Sequence, residues 1–272
     1  MKKIVDGKLE DVKNTMTVRQ LLTMTAGLTY NTASENIKRG QQETGGRMQT
    51  REAMKYLACD PLVFEPGSSW QYSLGHDVLA AIVEVASGKR FGLYVKENIF
   101  DRIGMKHTTF LLPENDLPEI AAQYRFDAQS GKYNFRGPQI QSFKLGSEYE
   151  SGGAGCISTV DDYIAFLENL RSGERLLRRD TITRMTSPEI SKAAETVYHQ
   201  IYSRPEHSYG LGVRCPEPGS RALDWGWGGA AGAYLAIIPS LETTFFYVQH
   251  VLGSPVQHPR KDLTDAVIRD II

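Results

Sequence analysis

The chain runs to 272 residues, of which 41% are hydrophobic and 23% charged. That is a globular balance, long enough for one sizeable core or two lobes, and it excludes a disordered tail. Its 31 basic and 32 acidic residues leave a net charge of -1, so no bulk electrostatics draw it to nucleic acid or to an anionic membrane.

No 18-residue apolar run occurs, and Met1-Lys2-Lys3-Ile4-Val5-Asp6 lacks the apolar core of a signal peptide. No membrane partner is expected, and a cytoplasmic location is favoured. Cys59, Cys156 and Cys215 lie far apart without a C-x-x-C. They read as buried or half-buried thiols in a reducing compartment, not as a disulfide framework or a structural zinc site.

In chain order, Thr17 and Gln20 form a capping box ahead of Leu21 and Leu22, with Gly27 as the stop. Thr50 precedes Ala53, Met54 and Leu57 at helical spacing. After the turn Glu65-Pro66-Gly67-Ser68, an apolar stripe of Val78, Leu79, Ile82, Val83 and Ala86 ends at Gly88 and is expected in the core. Ser158-Thr159-Val160-Asp161 reads as a second capping box, followed by Tyr163, Phe166, Leu167 and Leu170 on one face. Residues 39–50 and 113–150 are polar and lack periodicity, so they read as long surface excursions.

Towards the C-terminus the character changes. Tyr209-Gly210-Leu211-Gly212-Val213, Ala233 to Ile238 and Thr243 to Val248 read as strands, the last two antiparallel across Pro239-Ser240-Leu241-Glu242. Leu263, Ala266, Val267 and Ile271 give a final amphipathic helix over one sheet face. Three strands make a narrow sheet with a bare edge, and nothing before Thr17 reads as a strand to pair with it. Such an edge predicts self-association.

Two segments carry chemistry. Tyr72 directly precedes the helix of Val78 to Ala86, where the positive helix end and nearby cations lower a phenol's pKa toward proton transfer. Alone, it also reads as a packed aromatic. Trp227-Gly228-Gly229-Ala230 lead into a strand, where the glycines admit a ligand and the Ala230 amide can donate to an oxyanion. Alone, they also read as a bulged strand start. Between them lies Ser151-Gly152-Gly153-Ala154-Gly155. His76, His107, His199, His207, His250 and His258 show no metal spacing, the glycine-rich loop lacks the lysine of a phosphate loop, and no G-x-S-x-G occurs. No metal and no cofactor are called for.

Five ordered segments resemble the serine β-lactamase and penicillin-binding-protein-like family, in its class C β-lactamase and esterase branch. They are Thr17 to Leu28 (similar to a stretch ending LLTHTSGL), Phe64 to Ser73 (PG…W.YS), Ile103 to Thr108 (LGM.DT), Gly152 to Thr159, and Gly226 to Gly232. The resemblance implies an α/β (α+β) fold of the β-lactamase/transpeptidase type: an antiparallel sheet flanked by helices, beside a mostly helical lobe. It spans 1–272 as one incomplete domain, with the helical lobe over 17–200 and the strands and last helix over 205–272.

The resemblance also implies an acyl-enzyme chemistry with Tyr72 as assisting acid/base, Trp227, Gly228 and Gly229 as substrate wall, and Ala230 as oxyanion donor. The expected partner is a small-molecule ester or other acyl substrate. Leu74 stands where an asparagine would meet a β-lactam amide, and Trp227 where a lysine would meet its carboxylate, so neutral apolar acyl groups are favoured. Met24 and Ala26 depart from the usual His and Ser and read as structural.

No serine here is followed three residues later by lysine; Ser87 and Ser172 have Arg90 and Arg175 there. The expectation is a family member truncated at its N-terminus, lacking the S-x-x-K nucleophile helix and N-terminal strands, from an esterase-type parent. The alternatives are a non-catalytic binding module and a β-lactamase or D-Ala-D-Ala peptidase.

Overall fold

The chain, described by a computed structural model over residues 1–112, 120–137, 144–173, 175–254 and 259–271, begins with a hairpin. Strands β1 (Lys2–Val5) and β2 (Lys8–Asp11) turn at Asp6 and Gly7, both in the left-handed region. So strands do precede Thr17. They escaped the sequence because β2 is exposed along its whole length and has no apolar alternation. The hairpin pairs with itself, and Ile4 N–H donates to the Leu62 carbonyl at 2.8 Å; neither strand joins the main sheet.

Helix α1 (Val18–Leu22) starts on the expected box, the Thr17 side chain accepting from Gln20 N–H and the Gln20 side chain accepting in return. Helix α2 (Glu35–Glu43), capped by Ser34, takes the start of the 39–50 stretch read as loop. Its buried Ile37 packs against α3 (Thr50–Leu57) through Ala53 and Leu57.

Helix α4 (Gly75–Ser87) closes on left-handed Gly88 as expected. Its buried face, however, is Gly75, Asp77, Ala80 and Ala81, while Ile82 is 39% and Val85 61% exposed. The apolar stripe misled because small residues, not large ones, are needed where a loop presses on this helix. Helix α5 (Phe91–Val95) passes through a π-helical turn (Lys96–Phe100) into α6 (Asp101–Ile103), which stops at left-handed Gly104.

The second stretch read as loop contains a hairpin, β3 (Gln123–Asp127) and β4 (Lys132–Gly137); other parts of it, and His258, lie outside the described residues. Helices α7 (Val160–Ser172), α8 (Arg179–Met185) and α9 (Lys192–Tyr202) follow. The α7 cap is Thr159, one residue further on than the box suggested: its side chain accepts from Asp162 N–H.

The main sheet has five antiparallel strands in the order β5 (His207–Tyr209), β6 (Arg214–Pro216), β7 (Trp225–Gly228), β8 (Tyr234–Ile238), β9 (Thr243–Tyr247). The strand expected at 209–213 is instead a tight turn between β5 and β6, with Gly212 at φ 89°. Helix α7 covers one face, Leu167 and Leu170 packing on Cys215, Trp225 and Ile237. Tyr234 alternates to the other face, where it meets Thr264 of α10 (Pro259–Ile271). A short β10 (Val251–Leu252) runs parallel to β3. Cys215 is buried, but Cys59 and Cys156 are exposed, against expectation.

One core cluster decides where the site lies. Met24 and Trp70 from the helical part pack with Ala194 and Tyr198 of α9 and Tyr209 of β5, and Tyr72 and Trp227 border them. Met24 holds a left-handed φ of 58° to do so, and its carbonyl accepts from Gln71 N–H at 2.9 Å. The segment carrying Tyr72 is thereby pinned against the end of the sheet.

Candidate active site

Tyr72 sits three residues before α4 and is held as the middle of a stack. Its ring lies 5.6 Å from Tyr30 at 8° on one side and 5.7 Å from Trp227 at 18° on the other. With both faces covered, only the hydroxyl edge is left to meet a ligand. Burial pushes the phenol up; a hydrogen bond from Trp227 offsets part of this, and the Asp77 charge adds to it. The lowered pKa expected from the helix end is therefore not found. Asp77 in the first turn of α4 supplies a negative charge where nearby cations were expected.

Asp77 itself is fully buried. Its Oδ1 accepts from the Tyr149 hydroxyl at 2.6 Å and from Ser151 Oγ at 2.5 Å. Ser151 Oγ in turn accepts from Ala154 N–H at 2.9 Å. A Cβ on Gly152 would come within 2.4 Å of the His76 carbonyl oxygen, and one on Gly153 within 2.8 Å of Asp77 Oδ2. These glycines serve close packing of the loop on α4. The glycine-rich segment is a brace for the Tyr72 helix, not a cradle for a ligand.

Trp227 and Gly228 end β7 instead of leading into a strand, and Gly229 to Gly232 make the turn to β8. Gly229 N–H donates to the Ala233 carbonyl at 2.7 Å, and Gly232 N–H to the Gly229 carbonyl at 3.1 Å. Ala230 is exposed at the tip, and its N–H donates to no backbone carbonyl among the described residues. The structure thus brings Tyr72 and Trp227 into contact, and sets Ala230 three residues further on, at the exposed tip of the turn that Trp227 and Gly228 lead into. Leu74 is different: it is 1% exposed and packs with Ile37 and Met48, so it lines no cleft.

Tyr30, Tyr202 and Tyr209 were missed by the sequence reading. Tyr209 and Tyr202 meet the Trp227 ring edge-on at 5.1 and 5.3 Å. Nothing in their spacing announces this, because each arrives from a different element. Among the described residues no three His, Cys, Asp or Glu side chains gather as a metal site, and no helix is long and apolar enough to cross a membrane.

This architecture is the β-lactamase/transpeptidase fold. It aligns with a simvastatin synthase (LovD6 mutant) from Aspergillus terreus at a TM-score of 0.76 and 23% identity, covering 99% of this chain and 70% of that one. It aligns with EstCE1, a hydrolase with promiscuous acyltransferase activity, at 0.73 and 22%, covering 97% and 74%. The family model described as Beta-lactamase matches residues 2–269, and the chain belongs to that family.

Among curated relatives, Acyltransferase calJ of Penicillium decumbens is 28% identical over 91% of this chain and 64% of its own length. Esterase EstB of Burkholderia gladioli is 30% identical over 66% of this chain and 51% of its own. The chain thus spans about half to two thirds of the curated relatives it matches. The family is one of serine hydrolases that includes esterases and acyltransferases.

Proposed function

We propose that these residues form the tyrosine and oxyanion side of an acyl-transfer site acting on small esters through a serine acyl-enzyme. The observation that carries this reading is the contact of Tyr72 with Trp227, joined to a free Ala230 amide at the tip of the same β7–β8 turn. In the reaction the serine hydroxyl gives its proton to the amine that accompanies it, which returns the proton when the serine leaves on deacylation. The serine oxygen bonds to the ester carbonyl carbon, and the carbonyl oxygen gains negative charge that the Ala230 N–H stabilises. The tetrahedral species then breaks its bond to the alkoxide. Tyr72, a neutral phenol because burial raises it, sits to donate the proton that the leaving alcohol requires and to recover it from the next nucleophile. Water as that nucleophile gives an esterase, and an alcohol gives an acyltransferase.

The 272 residues hold no S-x-x-K, so in this reading the attacking hydroxyl and its amine come from residues outside them. Trp227, with its aromatic neighbours, offers an apolar wall in place of a cation, which suits esters better than β-lactams. Mixing the 272-residue chain with a chromogenic short-chain ester and with a chromogenic cephalosporin tests this. No burst and no serine adduct are expected; a stoichiometric burst with either would reveal a nucleophile among these residues and overturn the assignment.

A further inference from the structure

The hairpin of β3 and β4 is two-faced. Its register sets Tyr124 opposite Phe135 and Phe126 opposite Tyr133, so four rings share one face, with centroids 5.6 and 5.1 Å apart within the pairs. They are poorly covered: Phe135 is 65%, Tyr133 50% and Tyr124 38% exposed. One exposed aromatic is ordinary, but a paired row of them marks a surface that meets something. Strand β4 is the outer strand of its sheet, and its residues from Lys132 to Arg136 are exposed on both faces.

The other face carries cations. Arg125, Lys132 and Arg136 alternate onto it, and none is in an ion pair among the described residues. The one acid of residues 123–137, Asp127, accepts from Ser130 Oγ and Gln129 N–H in its own turn. A chain of net charge -1 thus sets three cations against one acid here, which complements an anionic partner. A second copy of this chain fits poorly. Antiparallel pairing of β4 with itself about Asn134 would put Lys132 opposite Arg136, and like charges so placed destabilise a ladder. Nor does a flat row of rings enclose a small molecule.

We propose that β4 seats the protein edge-on against a bilayer of anionic lipid. Tyr133 and Phe135 lie among the headgroups, where aromatic rings settle, with Tyr124 and Phe126 bracing them from behind. Lys132 and Arg136, at alternate positions of the same strand, extend to the phosphates. The outer edge of β4 stays in the hydrated headgroup layer, where its backbone groups keep water as partner. Only residues 250–252 separate this hairpin from the proposed acyl site: Tyr124 N–H donates to the His250 carbonyl at 2.9 Å, and Val251 N–H to the Ala231 carbonyl at 2.8 Å. Docking therefore holds the β7–β8 turn close to a surface in which apolar esters dissolve. It uses no chemistry at Tyr72, so its failure would leave the acyl-site reading standing.

The test is co-sedimentation of the 272-residue chain with vesicles of phosphatidylcholine alone and of phosphatidylcholine mixed equally with phosphatidylglycerol. Partitioning onto the mixed vesicles is expected to be on the order of a hundredfold stronger, each cation near the surface contributing severalfold. Lys132→Gln with Arg136→Gln should cut that preference by about tenfold or more. Tyr133→Ser with Phe135→Ser should abolish sedimentation with either vesicle, and both pairs should keep the circular dichroism spectrum. Leu9→Ser, at a side chain 63% exposed on β2, should bind like the unsubstituted chain. No sedimentation with the mixed vesicles, binding that survives either pair of substitutions, or an equal loss on Leu9→Ser overturns the proposal. So does a lipid-free dimer that Phe135→Ser dissolves in sedimentation velocity, which would assign the patch to a second copy.

Discussion

Tyr72 is the residue whose environment differs most from what its sequence position suggested. A tyrosine ahead of a helix invites a lowered pKa, yet packing between Tyr30 and Trp227 removes water from the ring and raises it. The Asp77 charge works in the same direction. In the 272-residue chain, the ultraviolet titration difference between the protein and Tyr72→Phe should therefore show no phenolate signal below about pH 10. A Tyr72 phenolate appearing near neutrality would mean that a cation has been overlooked. A neutral phenol is the right state for protonating an alkoxide, so the shift serves the proposed role.

At the scale of elements, the legible parts were those fixed by local chemistry. Thr17 with Gln20, and Gly88, could be read because a cap or a left-handed stop depends on a few neighbours. The β8–β9 hairpin was legible for the same reason. The buried face of α4 was not, since a small residue at Ala80 is required by a loop about seventy residues away. Nor could Tyr30 or Tyr209 be placed at the site, because their contacts with Tyr72 and Trp227 are made only by the tertiary fold. The loop contact yields a direct prediction. Gly152→Ala forces a methyl against the His76 carbonyl and should cost about 1–3 kcal/mol. The cost would appear as a lower urea midpoint at constant slope. An unchanged midpoint would mean the loop does not brace the helix.

For the molecule as a whole, the joint between the helical part and the sheet runs through Trp70, Tyr198 and Tyr209, with Trp227 and Tyr72 at its edge. Beneath it the sheet is tied by the buried Arg214–Asp224–His207 group. Burial alone raises the Asp224 carboxyl, but the His207 hydrogen bond and the Arg214 charge hold it well below the usual carboxylate range. A depressed folded-state pKa contributes stability that is complete above the unfolded carboxylate's pKa of about 4 and fades as pH falls below it. Stability should thus drop from about pH 5 to about pH 3. Asp224→Asn, already weaker because Arg214 loses its partner, should show a flatter profile across that window. Identical slopes would remove Asp224 from the acid response.

The claim on which the rest depends is that Tyr72 moves a proton at an acyl centre. In a protein that joins these residues to an S-x-x-K segment, Tyr72→Phe should lower kcat for a short-chain ester by about 10²–10⁴-fold. The circular dichroism spectrum should be unchanged. Turnover equal to that of the unsubstituted protein would contradict the account.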